Sequence, residues 1–264
     1  MRYCGIDVSA APDGQQLVTL HERRGAESGE LVATFYEPGS VERIARTVNG
    51  FGRDNVVVAI DAPSGHRLDL LAPGRPLRAA LGLPEGRYER ARVCDALLFR
   101  RRLPLYPVPS AGQALARWEA WIGVGFQLFD ALEPLGLYRP ESRGAVEAPV
   151  GEGALRHGRV CETYPDAVFC SLLGHRPPPK RTPGGLQQRI AALRLRGVVD
   201  DDGGLWQRTV DELDACAAAY AAYALSEGFG SWVGEPEEGV IVLPVEELEP
   251  TYAPLPPPRR SPLA

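Results

Sequence analysis

Asn55-Val56-Val57-Val58-Ala59-Ile60-Asp61-Ala62-Pro63-Ser64-Gly65 is the stretch on which the fold turns. The apolar run from Val56 to Ile60 reads as a strand. Pro63 and Gly65 then force the chain out of the sheet, and Asp61 stands at the point of exit. The start of the chain repeats this arrangement, since Tyr3-Cys4-Gly5-Ile6-Asp7-Val8 is an apolar strand pattern carrying Asp7. Between the two lie strand patterns at Gln16 to His21 and Leu31 to Phe35, a turn at Pro12-Asp13-Gly14 and an amphipathic stretch from Val41 to Val48. Antiparallel strands followed by a helix and a further strand predict a mixed sheet in an α/β fold.

Residues 66–155 are rich in Pro, Gly and Arg and carry two helical patterns, one near Pro84 to Arg101 and one from Ala111 to Leu135. Together they read as a helical insertion. In the second pattern Leu115, Trp118, Ile122, Phe126 and Phe129 recur at three- and four-residue steps, so its aromatics are read as core. Arg159 to Thr163 reads as a short strand, and Asp166 to Leu173 and Gly184 to Arg196 as helices, the latter stopped by Gly197. The last helix is expected from Val210 to Ser226. Thr209 and Glu212 sit at capping-box spacing before its apolar face of Leu213, Ala217, Tyr220 and Ala224. Gly239 to Leu243 reads as a final strand, and the chain beyond Pro244 as an extended or disordered proline-rich tail. The expected organisation is a single domain over residues 1–246 with the insertion at 66–155, and a tail over 247–264.

With 264 residues, 44% of them apolar, the chain can bury a sizeable core. Its five cysteines, Cys4, Cys94, Cys161, Cys170 and Cys216, show no Cys-x-x-Cys spacing and read as buried thiols in a reducing compartment. The first residues form a strand pattern and no apolar run approaches a bilayer span, so a cytoplasmic protein with no membrane partner is expected. A net charge of −5 argues against non-specific coating of nucleic acid, which needs many phosphate-neutralising cations. Any such contact must be local.

The chemistry rests on carboxylates. Asp7 and Asp61 end strands, and Asp211 and Asp214 share one face at the start of the last helix. Each has a local explanation, as a turn cap for the strand-end pair and a helix-dipole partner for the other two. A hard cation, Mg2+ or Mn2+, instead calls for several carboxylates from separate segments, and Asp7, Asp61, Asp211 and Asp214 supply them. Glu162, at the end of another strand, reads as an additional ligand, a general base or the salt-bridge partner of an insertion arginine. Arg87, Arg90, Arg92, Arg100, Arg101 and Arg102 form a basic run on the first insertion helix, either a solvated face or a local grip on phosphate. Lys180 could join that grip. His66, in the loop after Asp61, reads either as a surface residue or as one that orients water or phosphate. The histidines lack zinc-ligand spacing, and neither a P-loop nor a Gly-x-Ser-x-Gly elbow is present.

Six short motifs in order, Gly5-Ile6-Asp7, Ile60-Asp61-Ala62-Pro63, Arg92-Val93-Cys94-Asp95, Glu162-Thr163-Tyr164-Pro165, Asp211-Glu212-Leu213-Asp214-Ala215 and Glu238-Gly239-Val240-Ile241, carry a resemblance. The chain resembles domain-of-unknown-function family 429, whose members are predicted nucleases of the ribonuclease H-like superfamily. The resemblance implies a ribonuclease H-like fold with a central mixed five-stranded sheet, its first three strands antiparallel, flanked by helices. In similar nucleases, notably Holliday-junction resolvases, acidic residues occupy the first strand, the fourth strand and the last helix, which here fall on Asp7, Asp61, Asp211 and Asp214.

The expected function is a magnesium- or manganese-dependent nuclease or phosphohydrolase acting on DNA or RNA. Asp7, Asp61, Asp211 and Asp214 would bind the cations, Glu162 would assist, and Arg87, Arg90, Arg92 and Lys180 would hold substrate. A homodimer is compatible with the sequence. The alternatives are an actin-like ATP-dependent phosphotransferase, though Val8 to Gly14 lacks the paired glycines of its phosphate loop, and a non-catalytic nucleic-acid- or protein-binding module on the same fold.

Overall fold

The computed structural model describes residues 1–23, 29–142 and 144–255. Strand β1 (Arg2–Asp7) pairs antiparallel with β2 (Gln16–Glu22), which pairs antiparallel with β3 (Leu31–Phe35). Helix α1 (Val41–Asn49), capped by the Ser40 hydroxyl accepting from the Arg43 N–H at 3.3 Å, leads to β4 (Val56–Asp61), parallel to β1. The rest of the chain adds α2 (Pro76–Ala80), α3 (Val93–Arg100), α4 (Ala120–Ala131), β5 (Glu147–Pro149), β6 (Val160–Glu162) and α5 (Pro165–Leu173). It closes with α6 (Pro183–Leu195), β7 (Val198–Val199), α7 (Val210–Glu227), β8 (Ser231–Glu235) and β9 (Gly239–Leu243).

All the strands among the described residues form one mixed sheet flanked by helices, in the order β5-β8-β9-β6-β4-β1-β2-β3-β7. It has nine strands where five were expected. The β8–β9 hairpin extends the sheet past β6, and β5 and β7 add short strands of three and two residues at the margins. Such short edges leave few unpaired backbone groups to template a further strand.

The unbroken apolar run of β4 reflects cover on both faces. Cys4, Ile6, Val58 and Ile60 pack with Ile44 and Val48 of α1 and with Leu128 and Phe129 of α4. Tyr3, Val57 and Ala59 alternate with them and enter the layer containing α7. The capping box at Thr209 and Glu212 is formed, with Glu212 N–H to Thr209 Oγ1 at 3.2 Å and Thr209 N–H to Glu212 Oε2 at 2.7 Å. Beyond it α7 departs from the expected single apolar face, for nearly all residues from Leu213 to Leu225 are buried.

The expected helical insertion is otherwise built. Only Val93–Arg100 of the Pro84 to Arg101 pattern is helical, because the buried Arg78 guanidinium donates to the carbonyls of Leu71, Pro84 and Arg87 and holds that segment as loop. The second helix begins at Ala120, after a single 3-10 turn over Arg117–Glu119. It serves as a core layer of the fold. Residues 247–255 are docked, with Tyr252 buried, its N–H donating to Arg101 O at 2.9 Å and Arg176 N–H to Ala253 O at 3.1 Å. Residues 256–264 of the expected tail lie outside the described residues. All five cysteines are buried and free, and among the described residues no helix is long and apolar enough to cross a membrane.

Candidate functional site

The parallel register of β1 and β4 sets Asp7 beside Asp61. Both are the last residues of their strands, and by alternation both side chains leave the sheet on the face covered by α7. Helix α7 starts there, with Asp211 exposed in its first turn and Asp214 buried one turn on. Its close approach requires Gly5. A Cβ at that position would lie 1.9 Å from Ala215 O and 2.1 Å from Ala219 N, inside the backbone of α7.

Burial first, then the charges of Asp214 and Asp211, push the Asp7 carboxyl up to about 7, against the smaller opposing effects of Lys180 and a hydrogen bond with Asp61. Asp61 is held well above the usual carboxylate range by burial and by Asp7 and Asp214. Asp214 is raised by burial to about 6, although Lys180 Nζ donates to its Oδ2 at 2.5 Å and opposes the shift. Burial works against the Lys180 charge, but Asp214, Asp166 and Asp7 outweigh it and raise its pKa. The Oδ1 of Asp214 is buried with no hydrogen-bond partner. Three carboxylates therefore share a desolvated corner with one ammonium to balance them.

This corner opens into a cleft of about 760 Å³ whose lining includes Asp7, Asp61, Asp211 and Lys180, together with Glu162, Arg92 and Asp95. The cleft lies at the carboxyl ends of β1, β4 and β6, where ligands of open α/β sheets are usually bound. A second cleft, about 440 Å³, shares Tyr164, Asp166 and Lys180 with the first and adds Arg176 and Arg189. Among the described residues no three His, Cys, Asp or Glu side chains stand as a preformed metal-ligand set. The donors themselves suit a hard cation, being all oxygen, under-neutralised and partly unpartnered.

Glu162 is placed differently from the aspartates. Its strand pairs it with Ile60, one residue short of Asp61, so its side chain emerges on the opposite face of the sheet. There Arg92 grips it bidentately, Nη1 to Oε2 at 2.9 Å and Nη2 to Oε1 at 2.6 Å, while the Ser64 N–H and hydroxyl donate to Oε2 at 2.8 and 3.0 Å. Arg92 also binds Asp95, with Nη2 to Oδ1 at 2.9 Å. Glu238 completes the group by accepting from the Leu68 and Val93 N–H groups, both at 2.7 Å. Of the three roles open to Glu162 the geometry favours the salt bridge to an insertion arginine. Arg92, expected to hold substrate, does line the cleft, but it is 1% exposed and both its terminal nitrogens are engaged by carboxylates.

Arg87 and Arg90 are exposed and do not line the cleft, because the segment carrying them is loop and not helix. Their carbonyls are the anchored groups, Arg87 O accepting from Arg78 and Arg90 O from Arg67. Lys180 does enter the cleft, as partner of Asp214. The His66 ring packs on Phe126, centroids 4.5 Å apart, outside the cleft lining. In the turn after β1 the Ser9 N–H donates to Gln15 Oε1 at 2.9 Å, the Ala11 N–H to Ser9 Oγ at 3.1 Å and the Gly14 N–H to Ala11 O at 3.1 Å. Those three amides are engaged within the turn.

Helical spacing placed Trp118 in the core, but it is 56% exposed. The 3-10 turn before Ala120 breaks the helical phase and swings it to the mouth of the cleft beside Tyr106 and Trp121. Glu119, whose carboxylate accepts from the Ala116 N–H at 2.7 Å, is the sequence signal for that late helix start. Glu238 falls in one of the six motifs but its role was not legible there, and no pattern marked Ser64, since the partners of both are distant in sequence.

No curated protein and no solved structure matches the chain. One family model does match, over residues 5–238, which takes in every carboxylate of both clusters. The chain belongs to the family described as Protein of unknown function (DUF429).

Proposed function

We propose that this protein is a magnesium- or manganese-dependent nuclease or phosphohydrolase whose cations are held by Asp7, Asp61 and Asp214, with Asp211 at the rim. One observation carries the reading: carboxylates from two strands and a helix converge in a cleft where burial and mutual repulsion raise their pKa values and one buried oxygen of Asp214 lacks a partner. Such uncompensated charge attracts protons or cations, and strongly perturbed groups in a cleft mark functional sites. The central strand order β3-β2-β1-β4-β6, with the first three strands antiparallel, supports the ribonuclease H-like reading of the fold.

Bound there, Mg2+ or Mn2+ would supply Lewis-acid activation for phosphodiester hydrolysis. Asp7, raised by burial and by the charges of Asp214 and Asp211 when no cation is present, would give up its proton on holding one. Lys180 orients Asp214 and places positive charge on the cleft wall, where it can meet a phosphate oxygen. Glu162 and Arg92 fix the loop after β4 through Ser64, and so act by position. The engaged amides of the β1–β2 turn disfavour an ATP phosphotransferase.

The test is Asp7→Asn assayed for hydrolysis of DNA, RNA and bis(p-nitrophenyl) phosphate with Mn2+. A loss beyond about 100-fold is expected, larger than removal of an outer-shell partner usually causes. Full activity in the variant sinks the mechanism. A crystal soaked in Mn2+ should also show anomalous peaks at Asp7, Asp61 and Asp214.

A further inference from the structure

Three aromatic rings stand at the mouth of the carboxylate cleft. Tyr106 is 63% exposed and Trp118 56%, so both present ring surface to solvent, and unlike the more exposed Trp206 they do so in the lining of the cleft. Tyr106 lies between the tryptophans, its ring centroid 6.4 Å from that of Trp118 and 5.9 Å from that of Trp121. All three line the same cleft as Asp7 and Asp61. Beyond the carboxylates, the adjoining cleft continues past Tyr164 with Lys180 and Arg176 on its wall.

We infer that Tyr106 and Trp118 are a stacking platform for an unpaired base of single-stranded nucleic acid, whose backbone then runs over the carboxylates toward Lys180 and Arg176. The inference deepens the nuclease reading and rests on it for the direction of the strand. Exposed aromatic faces beside a cationic track are how proteins hold single strands without reading sequence, since every base offers a π face. A paired base inside a duplex has no free face to give. The charge pattern agrees: a net charge of −5 argues against non-specific coating of a duplex, whereas stacking with a few local cations can hold a single strand.

The experiment measures binding of an oligothymidylate of about ten nucleotides, within the usual single-strand site sizes, with Ca2+ in place of Mg2+ or Mn2+ so that a cation offsets the carboxylates, the oligonucleotide being checked as uncut afterwards. Binding to the full chain is followed by fluorescence anisotropy. Trp118→Ala and Tyr106→Ala are each expected to weaken binding about ten-fold or more. Trp118→Phe should restore most of it, and a duplex of equal length should bind more weakly than the single strand.

Binding untouched by Trp118→Ala and Tyr106→Ala, preference for duplex, or no binding at all overturns the platform. Tight binding of ATP in place of the oligonucleotide also overturns it, because the wall would then serve a mononucleotide. The two readings fail separately. If Asp7→Asn abolishes Mn2+-dependent hydrolysis of bis(p-nitrophenyl) phosphate while oligonucleotide binding ignores Trp118, the platform falls and the hydrolase stands. If binding depends on Trp118 but no phosphodiester is cleaved with Mn2+, the hydrolase falls and the platform stands.

Discussion

Two buried acidic clusters meet at the carboxyl ends of the central strands, and they are opposites. Around Arg92, the carboxylates of Glu162 and Asp95 are met by a bidentate guanidinium, and Glu162 and Glu238 by backbone N–H groups. Around Lys180, Asp7, Asp61 and Asp214 share one ammonium, and an oxygen of Asp214 has no partner. Buried charge must be compensated or pushed toward its neutral form. The first cluster is compensated by the protein and ties the segment after Leu68 and the start of α3 to the sheet. The second is under-compensated by the protein itself. Acidic residues alone therefore do not distinguish the candidate site, whereas the shortfall of compensation does.

The sharpest break of this contrast is Arg92→Met. Removing the one cation leaves Glu162 and Asp95 buried without it, and a loss of about 3–5 kcal/mol is expected. It is read from the denaturant midpoint at unchanged m-value. A loss under about 1 kcal/mol would mean that the two acids are rescued by water or by neutralisation.

Asp7→Asn should act with the opposite sign on stability when no divalent cation is present. The folded-state pKa of Asp7 lies near 7, above the ordinary value of 3.8, so the folded state binds the proton more tightly than the unfolded state. Stability from this group is intact below about pH 4 and is lost as pH rises through about 7. In EDTA at pH 8 the variant should exceed the wild type by roughly 1–2 kcal/mol, less than the full linkage value because water reaches the cleft. The gain should vanish near pH 4, where both proteins are neutral at this position. Equal differences at the two pH values would remove the claim that Asp7 is under-compensated.

The smallest effect is expected outside both clusters. Arg87→Ala and Arg90→Ala remove exposed side chains whose carbonyls are the anchored groups, so stability should change by no more than about 0.5 kcal/mol. Catalysis and oligonucleotide binding should be equally indifferent. A marked fall in binding would return these arginines to the substrate path.

The sequence by itself determined the elements whose cause is local: the apolar runs of β1, β2, β3 and β4, the Thr209–Glu212 capping box that opens α7, and the strand-end positions of Asp7 and Asp61. Strand alternation and capping act within a few residues, so they are legible there. Tertiary structure alone decided which acids meet. One residue of register sends Glu162 to Arg92 while Asp7 and Asp61 turn to α7, and no local pattern encodes a register between strands a hundred residues apart. It also decided that Arg92 is core, because the buried Arg78 holds the preceding segment as loop and Glu162 and Asp95 enclose the Arg92 guanidinium. The exposure of Trp118 has a local cause, the 3-10 turn that Glu119 caps, which helical spacing alone does not reveal.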